Sequence, residues 1–507
     1  MFNSAATVDR NADRWPDREA VAQGERRLTN AGLLGRVQAL AAGLRSLGVG
    51  RGSVVAVLLN NCPEFLEATF AVNRLGAIWL PLNWRLAPDE WEYILGHAGA
   101  SVLVSEPEFA AGVDGVAPRL AELRHRVAVG GAPQRWLDYE SLVAGGRGEA
   151  VEVADVAEDD VQRLMYTSGT TARPKGVMLT YGNLLWKNVG QLVEFGLTEA
   201  DRTLIAGPLY HVGGMDLPAS TVLYAGGSVA LLRRFDPVQT MEALAPESIT
   251  NLWLAPAMVN AVLQLDDLEA YDTSTVRLII NGGEKMPVPL IERMLRAFPN
   301  AWFSDAYGLT ETVSGDTFMD RGSAIRKIGS VGKPVVHLAV RIVDEEGRDV
   351  PTGELGEVVL RGPKVFRGYW KDESATAAVL RDGWFHTGDM GHLDSEGYLF
   401  IDDRKKDLIV SGGENIASPE VERVLYEHPA VLEAAVVGMA DERWGEVPRA
   451  FVAVKEGASV TADELLEHCR ARLARFKTPR AVEFVEALPR NPSGKVLKRE
   501  LRERVAR

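Results

Sequence analysis

Two cysteines, Cys62 and Cys469, are all that the 507 residues contain, and they lie too far apart in sequence to form a metal-ligand pair. A disulfide framework and a zinc site are both disfavoured, and a reducing cytoplasm is the expected compartment. Long hydrophobic runs are missing too. The longest apolar stretch, 220–232, carries two glycines, stops at Arg233 and Arg234, and falls short of the roughly 20 residues that span a bilayer. No transmembrane segment is expected, while peripheral membrane contact stays open. The opening MFNSAATVDRNADRW lacks the basic cluster and apolar run of a secretory signal, and the closing RERVAR matches no address tag. Positive charge is not in excess either. A formal net charge of -14 argues against nucleic-acid binding driven by counterion release, so small ligands are the expected partners.

What is present has the balance of an ordinary globular protein, 46% hydrophobic and 25% charged. The length exceeds what one core usually fills, so at least two domains are expected. From Val54 to about Leu360, short β-branched runs (SVVAVLL, ASVLVS, VRLIIN) alternate with amphipathic stretches such as NAGLLGRVQALAAGLRSLG, which is α/β patterning. After Leu355, GEVVLRGPKVFRGYW and GWFHTGDMGHLDSEGYLFIDD read as a small β-rich subdomain punctuated by Gly and Asp turns. The polar run from Asp402 to Asp407 reads as an interruption between the strands YLFI and DLIVS, and marks the candidate boundary between a large domain, 1–403, and a small one, 404–507. The small domain reads as helix (SPEVERVLYEHP), strand (LEAAVVGM), strand (RAFVAVK), helix (TADELLEHCRARLAR) and strand (AVEFVE), an α+β module. Ala/Gly-rich patches near Gly112 and Gly145 read as surface loops.

The strongest local signal is Thr167-Ser168-Gly169-Thr170-Thr171-Ala172-Arg173-Pro174-Lys175-Gly176, which follows the apolar run Leu164-Met165-Tyr166. Such a loop can fold backbone N–H groups and hydroxyls around phosphate oxygens, with the lysine as counter-charge. Its spacing is not that of a Walker A loop, because Pro174 replaces the second glycine and Gly176 follows the lysine. An ordinary surface turn is the competing reading. Four further segments follow in order: Tyr307-Gly308-Leu309-Thr310-Glu311, Gly383-Trp384-Phe385-His386-Thr387-Gly388-Asp389, Asp403-Arg404-Lys405-Lys406-Asp407 with Ser411-Gly412-Gly413-Glu414-Asn415, and Pro489-Arg490-Asn491-Pro492-Ser493-Gly494-Lys495. Together the five resemble the signatures of the adenylate-forming superfamily, which includes acyl- and aryl-CoA synthetases, nonribosomal peptide adenylation domains and beetle luciferases. The resemblance spans essentially the whole chain.

Joining a carboxylate to ATP brings two anions together, so such a site needs positive charge and a metal. The resemblance implies an α/β enzyme with two α/β sheets and a β-rich subdomain in its large domain, and a mobile α+β small domain. It implies Mg²⁺ on Glu311 beside Thr310, phosphates on 167–171 (Thr167, Ser168, Gly169, Thr170 and Thr171) and Lys175, ribose hydroxyls on Asp389, and ribose and phosphate contacts from Arg404. Adenine is implied on Tyr307, with Asp305 and the backbone of Gly282, Gly283 and Glu284 around the base. Lys495 is implied to bridge the acid and the α-phosphate. Lys406 is the implied hinge that exchanges Lys495 for the coenzyme A loop carrying Ser411, Gly412 and Gly413. Each residue also has a plain reading, as a solvated carboxylate, a turn aspartate or a static charged turn.

The acyl pocket is expected from His211, Val212, Gly213, Met215, Asn281 and Gly308, with 253–258 and Leu309 adding to it. The set is mostly apolar and offers no basic residue to a second carboxylate, which favours an aliphatic or aromatic monocarboxylic acid over malonate. Asp216 is expected either to face that pocket or to point to water. Two positions depart from the common family pattern: Ala172 replaces a glycine, and Ala417-Ser418 replaces an aromatic and a proline, which puts the coenzyme A contact in doubt. The function implied is an ATP-dependent acyl-CoA ligase using ATP, Mg²⁺ and coenzyme A. Loading of a carrier-protein thiol and luciferase-like oxygenation are the alternatives, and a homodimer is left open.

Overall fold

The computed structural model describes residues 2–167, 174–283, 286, 288–404, 407–411, 414–441, 444–475, 477–490 and 496–505. Among them four sheets form. An eight-stranded sheet is built around Val54–Leu58, whose five residues are all buried, as expected of a parallel strand covered on both faces. At one end of this sheet, Val161–Thr167 and Lys175–Thr180 form an antiparallel hairpin whose register sets Thr167 opposite Lys175. A nine-stranded sheet contains Arg202–Ile205, Asn251–Leu254, Leu278–Gly282 and Trp302–Tyr307 as parallel neighbours. Their carboxyl ends are where ligands of open α/β sheets bind.

Between these sheets runs the helix Tyr181–Phe195. Its start is a reciprocal box: Thr180 Oγ1 accepts from the Asn183 N–H at 3.1 Å, and Asn183 Oδ1 accepts from the Thr180 N–H at 2.9 Å, so two orphan donors are satisfied at once. Gly196, at φ 57°, ends it in the left-handed conformation that glycine adopts without penalty.

The β-rich subdomain is a five-stranded sheet of Ala339–Val343, Gly356–Arg361, Trp384–Leu393, Leu380–Arg381 and Leu399–Arg404. It begins earlier than the composition suggests. The segment from Trp384 to Leu393 is a single strand rather than a series of glycine turns, so Asp389 projects from a sheet. The polar run is also less of a break than expected. Asp402, Asp403 and Arg404 continue the strand, with Met390 opposite Asp403 and Asp389 opposite Arg404.

The C-terminal module has its own sheet, Glu414–Ile416, Ile409–Ser411, Gly445–Val454, Val431–Asp441 and Ala481–Phe484, and its own core around Ile409, Val421, Leu425, Val436, Val452 and Leu465. The expected helices and strands are there, although Ala462–Arg470 is shorter than the pattern suggested. A helix not foreseen, Lys498–Val505, packs Leu501 against Val437 and Phe451. Two expectations fail elsewhere: Gly112 lies in the helix Ala110–Val116 and Gly145 ends the helix Tyr139–Gly145, not in loops. Neighbouring Val113 and Val143 are buried, and that burial outweighs the poor helix propensity of glycine. Cys62 and Cys469 are buried free thiols. No helix of the described residues is long and apolar enough to cross a membrane.

Candidate active site

Lys175 begins the second strand of the hairpin, opposite Thr167, with its ammonium 5.0 Å from the centre of the Tyr369 ring. Tyr369 belongs to the short strand Gly368–Tyr369, which pairs with Lys175–Thr180. Its hydroxyl donates to Glu311 Oε1 at 3.0 Å, and the Phe366 N–H donates to the Glu311 carbonyl at 2.7 Å. One aromatic ring thus bridges the lysine expected at the phosphates and the carboxylate expected at the metal.

Glu311 sits in the 3-10 turn Thr310–Thr312. The chain after it is forced: Val313, Ser314 and Gly315 take φ values of 57°, 61° and 65°, unusual for two non-glycine residues in succession. Gly308 is required here, because a Cβ on it would lie 2.4 Å from the Gly315 nitrogen. Lys364 holds the strained loop from behind. Its ammonium donates to the carbonyls of Ser314 and Gly315 at 2.8 and 2.6 Å and pairs with Asp316 Oδ1 at 2.9 Å, entirely out of solvent. Burial of the ammonium pushes its pKa down, against the pull of Asp316.

Where the nucleoside is expected, the Tyr307 hydroxyl donates to Asp389 Oδ2 at 2.6 Å, and the Asp389 N–H donates to Thr387 Oγ1 at 3.0 Å. Burial, reinforced by the Asp389 charge, pushes the Tyr307 hydroxyl well above its usual pKa, so it remains a donor. Gly282 closes its strand beside Trp302–Tyr307, where a Cβ would come within 2.7 Å of the Ala306 carbonyl oxygen, and Gly283 turns away at φ 108°. Asp305 lies in register with Asn281 on the neighbouring strand.

Where the acid is expected, His211 caps the short helix Val212–Asp216, its Nδ1 accepting the Gly213 N–H at 3.1 Å. A neutral ring in this arrangement carries its proton on Nε2. The Trp253 ring lies 6.3 Å from the His211 ring at 28°, and a Cβ on Gly213 would meet it at 2.5 Å. Asn281 is completely buried, and among the described residues neither atom of its amide finds a hydrogen-bond partner, nor does the Trp253 indole N–H.

Comparison with known proteins places this geometry. The AMP-binding enzyme model matches residues 8–370, and the AMP-binding enzyme C-terminal domain model matches residues 420–495. The chain belongs to the AMP-binding enzyme family. Among curated members of that family, an indoleacetate–CoA ligase of Aromatoleum aromaticum is 41% identical over 500 residues, covering 99% of this chain and 98% of the relative. A feruloyl-CoA synthase of an Amycolatopsis species is 42% identical over 495 residues, covering 98% and 97%. Among solved structures, an anthranilate CoA ligase in complex with anthranoyl-AMP superposes with a TM-score of 0.93 at 29% identity, covering 99% and 97%. The o-succinylbenzoate CoA synthetase of Bacillus subtilis, in complex with its acyl-adenylate intermediate, superposes with a TM-score of 0.85 at 32% identity, covering 98% and 97%.

Of the residues that the family signatures single out, the fold brings Lys175 and Glu311 to one ring and Tyr307 and Asp389 into direct contact, with Arg404 opposite Asp389 in the backbone register. His211, Val212, Gly213 and Met215 lie on one turn of chain; His211 and Gly213 meet Trp253, while Met215 packs in the core with Leu209, Tyr210 and Leu223. Ser411 belongs instead to the C-terminal sheet, opposite Gly445. Ser168, Gly169, Thr170, Thr171, Glu284, Lys406, Gly412, Gly413 and Lys495 lie outside the described residues. The base of the segment carrying Lys495 is closed by a bridge between Arg490 and Val496.

One expectation is corrected. Asp216 faces neither the pocket nor water: it is buried against Arg163 and Lys187. His386 and His392 pair with separate carboxylates, Glu357 at 3.2 Å and Asp402 at 2.8 Å. Sequence reasoning missed Tyr369 and Lys364. Both lie in GPKVFRGYW, which reads as turns and aromatics, and a lysine flanked by Gly-Pro and an apolar pair was the available signal. It also missed the role of Ser418, whose N–H and hydroxyl donate to Asp403 Oδ2 at 2.9 and 2.6 Å and tie the C-terminal module to the strand before it.

Proposed function

We propose that this AMP-binding enzyme is an ATP-dependent ligase that activates an aromatic monocarboxylic acid as its adenylate and passes the acyl group to coenzyme A. In the first step a carboxylate oxygen attacks the α-phosphorus, the bond to the bridging oxygen breaks, and pyrophosphate departs. In the second the coenzyme A thiolate, its proton lost to solvent, attacks the acyl carbonyl and AMP leaves. The observation that carries the reading is the convergence of Lys175 and Glu311 on Tyr369, at the mouth of a hairpin built to hold phosphate. The relatives named above, whose printed acids are indoleacetate, ferulate, anthranilate and o-succinylbenzoate, support an aromatic acid. So does a wall made of His211, Trp253 and apolar chain.

Within this reading Lys175 meets the departing phosphates, Tyr307 and Asp389 hold the nucleoside, and His211, Val212, Gly213, Met215, Asn281 and Gly308 surround the acid. The donor set fits magnesium, since Glu311 is a hard oxygen ligand beside a phosphate-facing lysine, and such ions are held by one or two carboxylates plus phosphate oxygens. Bound there, Mg²⁺ would offset negative charge on the leaving pyrophosphate. Residues 1–403 would supply the acid and nucleotide sites, and 404–507 would turn about Lys406 to exchange Lys495 for the 411–413 loop.

The test is a panel of aryl and aliphatic acids with ATP, Mg²⁺ and coenzyme A, scored for AMP and for thioester. AMP and aryl-CoA from several aromatic acids are expected. Absence of acid-dependent exchange of pyrophosphate into ATP across the whole panel overturns the reading.

A further inference from the structure

The helix that walls the acid site is weak by itself. Val212–Asp216 is five residues long with two glycines, too short and too glycine-rich to persist on propensity. Its last residue, Asp216, is also the wrong sign, because a carboxylate opposes the negative end of the helix dipole. Something else fixes both. Arg163 Nη2 donates to Asp216 Oδ2 at 2.8 Å, Lys187 Nζ lies 3.8 Å from Oδ1, and the Ser220 hydroxyl donates to Oδ1 at 3.2 Å. Lys187 Nζ and Gln191 Nε2 donate to the Asp216 carbonyl at 3.3 and 3.0 Å, capping the helix end from Tyr181–Phe195. Arg163, Lys187 and Asp216 are at most 1% exposed, so separating them would strand an unpaired charge in the interior.

The two sides of this cluster are not equally free. Arg163 projects from Val161–Thr167, which is hydrogen-bonded to Lys175–Thr180 on one edge and pairs with Ile78–Pro81 on the other, and its guanidinium also sits 5.4 Å above the Trp79 ring. That strand leads directly into the phosphate loop. Val212–Asp216 belongs to no sheet.

We propose that Asp216 is a positioning residue of the acid site: through Arg163 and Lys187 it latches the wall bearing His211, Val212, Gly213 and Met215 to the strand that carries the phosphate loop. The inference rests on the reading of that wall as the acid's. The strand is held by paired neighbours on both edges, whereas the wall is held by side-chain packing and by the Asp216 cluster, so losing the latch displaces the wall and leaves the nucleotide site in place. The acid, and not ATP, then loses affinity.

The experiment is acid-dependent ATP–pyrophosphate exchange by wild-type enzyme and Asp216→Asn, with an aromatic acid the wild type accepts. The neutral, isosteric variant is expected to raise the KM for the acid by at least about tenfold while the KM for ATP moves less than about twofold. An unmoved acid KM, or equal increases for both substrates, overturns the latch. Should Asp216→Asn fail to fold, Lys187→Met is measured in the same way, with the same split expected and the same outcomes overturning it. Wild-type enzyme that exchanges with no acid overturns the functional reading and the latch with it; exchange without the split overturns the latch alone.

Discussion

Tyr307 donates its hydroxyl to Asp389 at 2.6 Å across 82 residues of sequence, joining a strand of the nine-stranded sheet to a strand of the β-rich subdomain. The contact sets the carboxylate's direction before any nucleotide arrives. Tyr307→Phe removes one hydrogen bond to a charged acceptor, which is worth about 1.5–3 kcal/mol. The expected outcome is a lower thermal midpoint and a raised KM for ATP with the acid KM little changed, read from melting curves and exchange kinetics.

Glu311 accepts from the Tyr369 hydroxyl at 3.0 Å, and the Lys175 ammonium lies 5.0 Å from the centre of the same ring. Glu311→Gln keeps the shape and removes the charge. Exchange activity is expected to fall by roughly 10²–10³-fold, the range for one preorganised electrostatic group, with more Mg²⁺ needed for half-maximal rate. Unchanged magnesium dependence would argue against the metal role.

Lys364 and Asp316 form a buried pair that holds the left-handed 313–315 loop. Removing the lysine alone leaves a buried carboxylate uncompensated, so Lys364→Met is expected to cost about 3–5 kcal/mol of stability, whereas Lys364→Met with Asp316→Leu should recover much of it. Urea unfolding of the single and double variants checks this. Activity should not return with stability, because the carbonyls of Ser314 and Gly315 still lack their donor.

Asn281 buries an amide that finds no hydrogen-bond partner among the described residues. Leaving such a group unpaired costs about 1–3 kcal/mol, so Asn281→Leu is expected to raise the thermal midpoint while lowering kcat/KM for the acid. A variant both less stable and fully active would show that the amide serves only packing.

Burial pushes the Lys187 ammonium from 10.5 down to about 7, with Asp216 pulling the other way. Between those values the unfolded chain holds a proton that the folded chain has released, so stability is expected to rise with pH there by up to ~1.4 kcal/mol per pH unit. Below about pH 7 both states are protonated and the contribution is flat. Unfolding free energies of wild type and Lys187→Met across this window check it: the slope should diminish in the variant.

The segments that mark the family could be read from the chain because each is short and contiguous. Thr167 to Gly176 and Tyr307 to Glu311 needed no fold to be noticed. The strand and helix order of the C-terminal module was legible for a similar reason, since its apolar periodicity is local. Glycine-rich segments misled. The strand from Trp384 to Leu393 contains Gly388 and Gly391 yet continues through both: Gly391 pairs with Gly356, and Gly388, at φ 72°, lies where the register shifts, its N–H donating to the Glu357 side chain.

The sequence by itself determined the family and the alternation of strand and helix, because each depends on near neighbours along the chain. Only the tertiary structure decided that Asp216 is buried against Arg163 and Lys187, that Lys364 underpins the loop after Glu311 and that Tyr369 stands between Lys175 and Glu311. A charged side chain looks the same in sequence whether it ends in water or against a counter-charge, and what settles the matter is which distant segment packs over it.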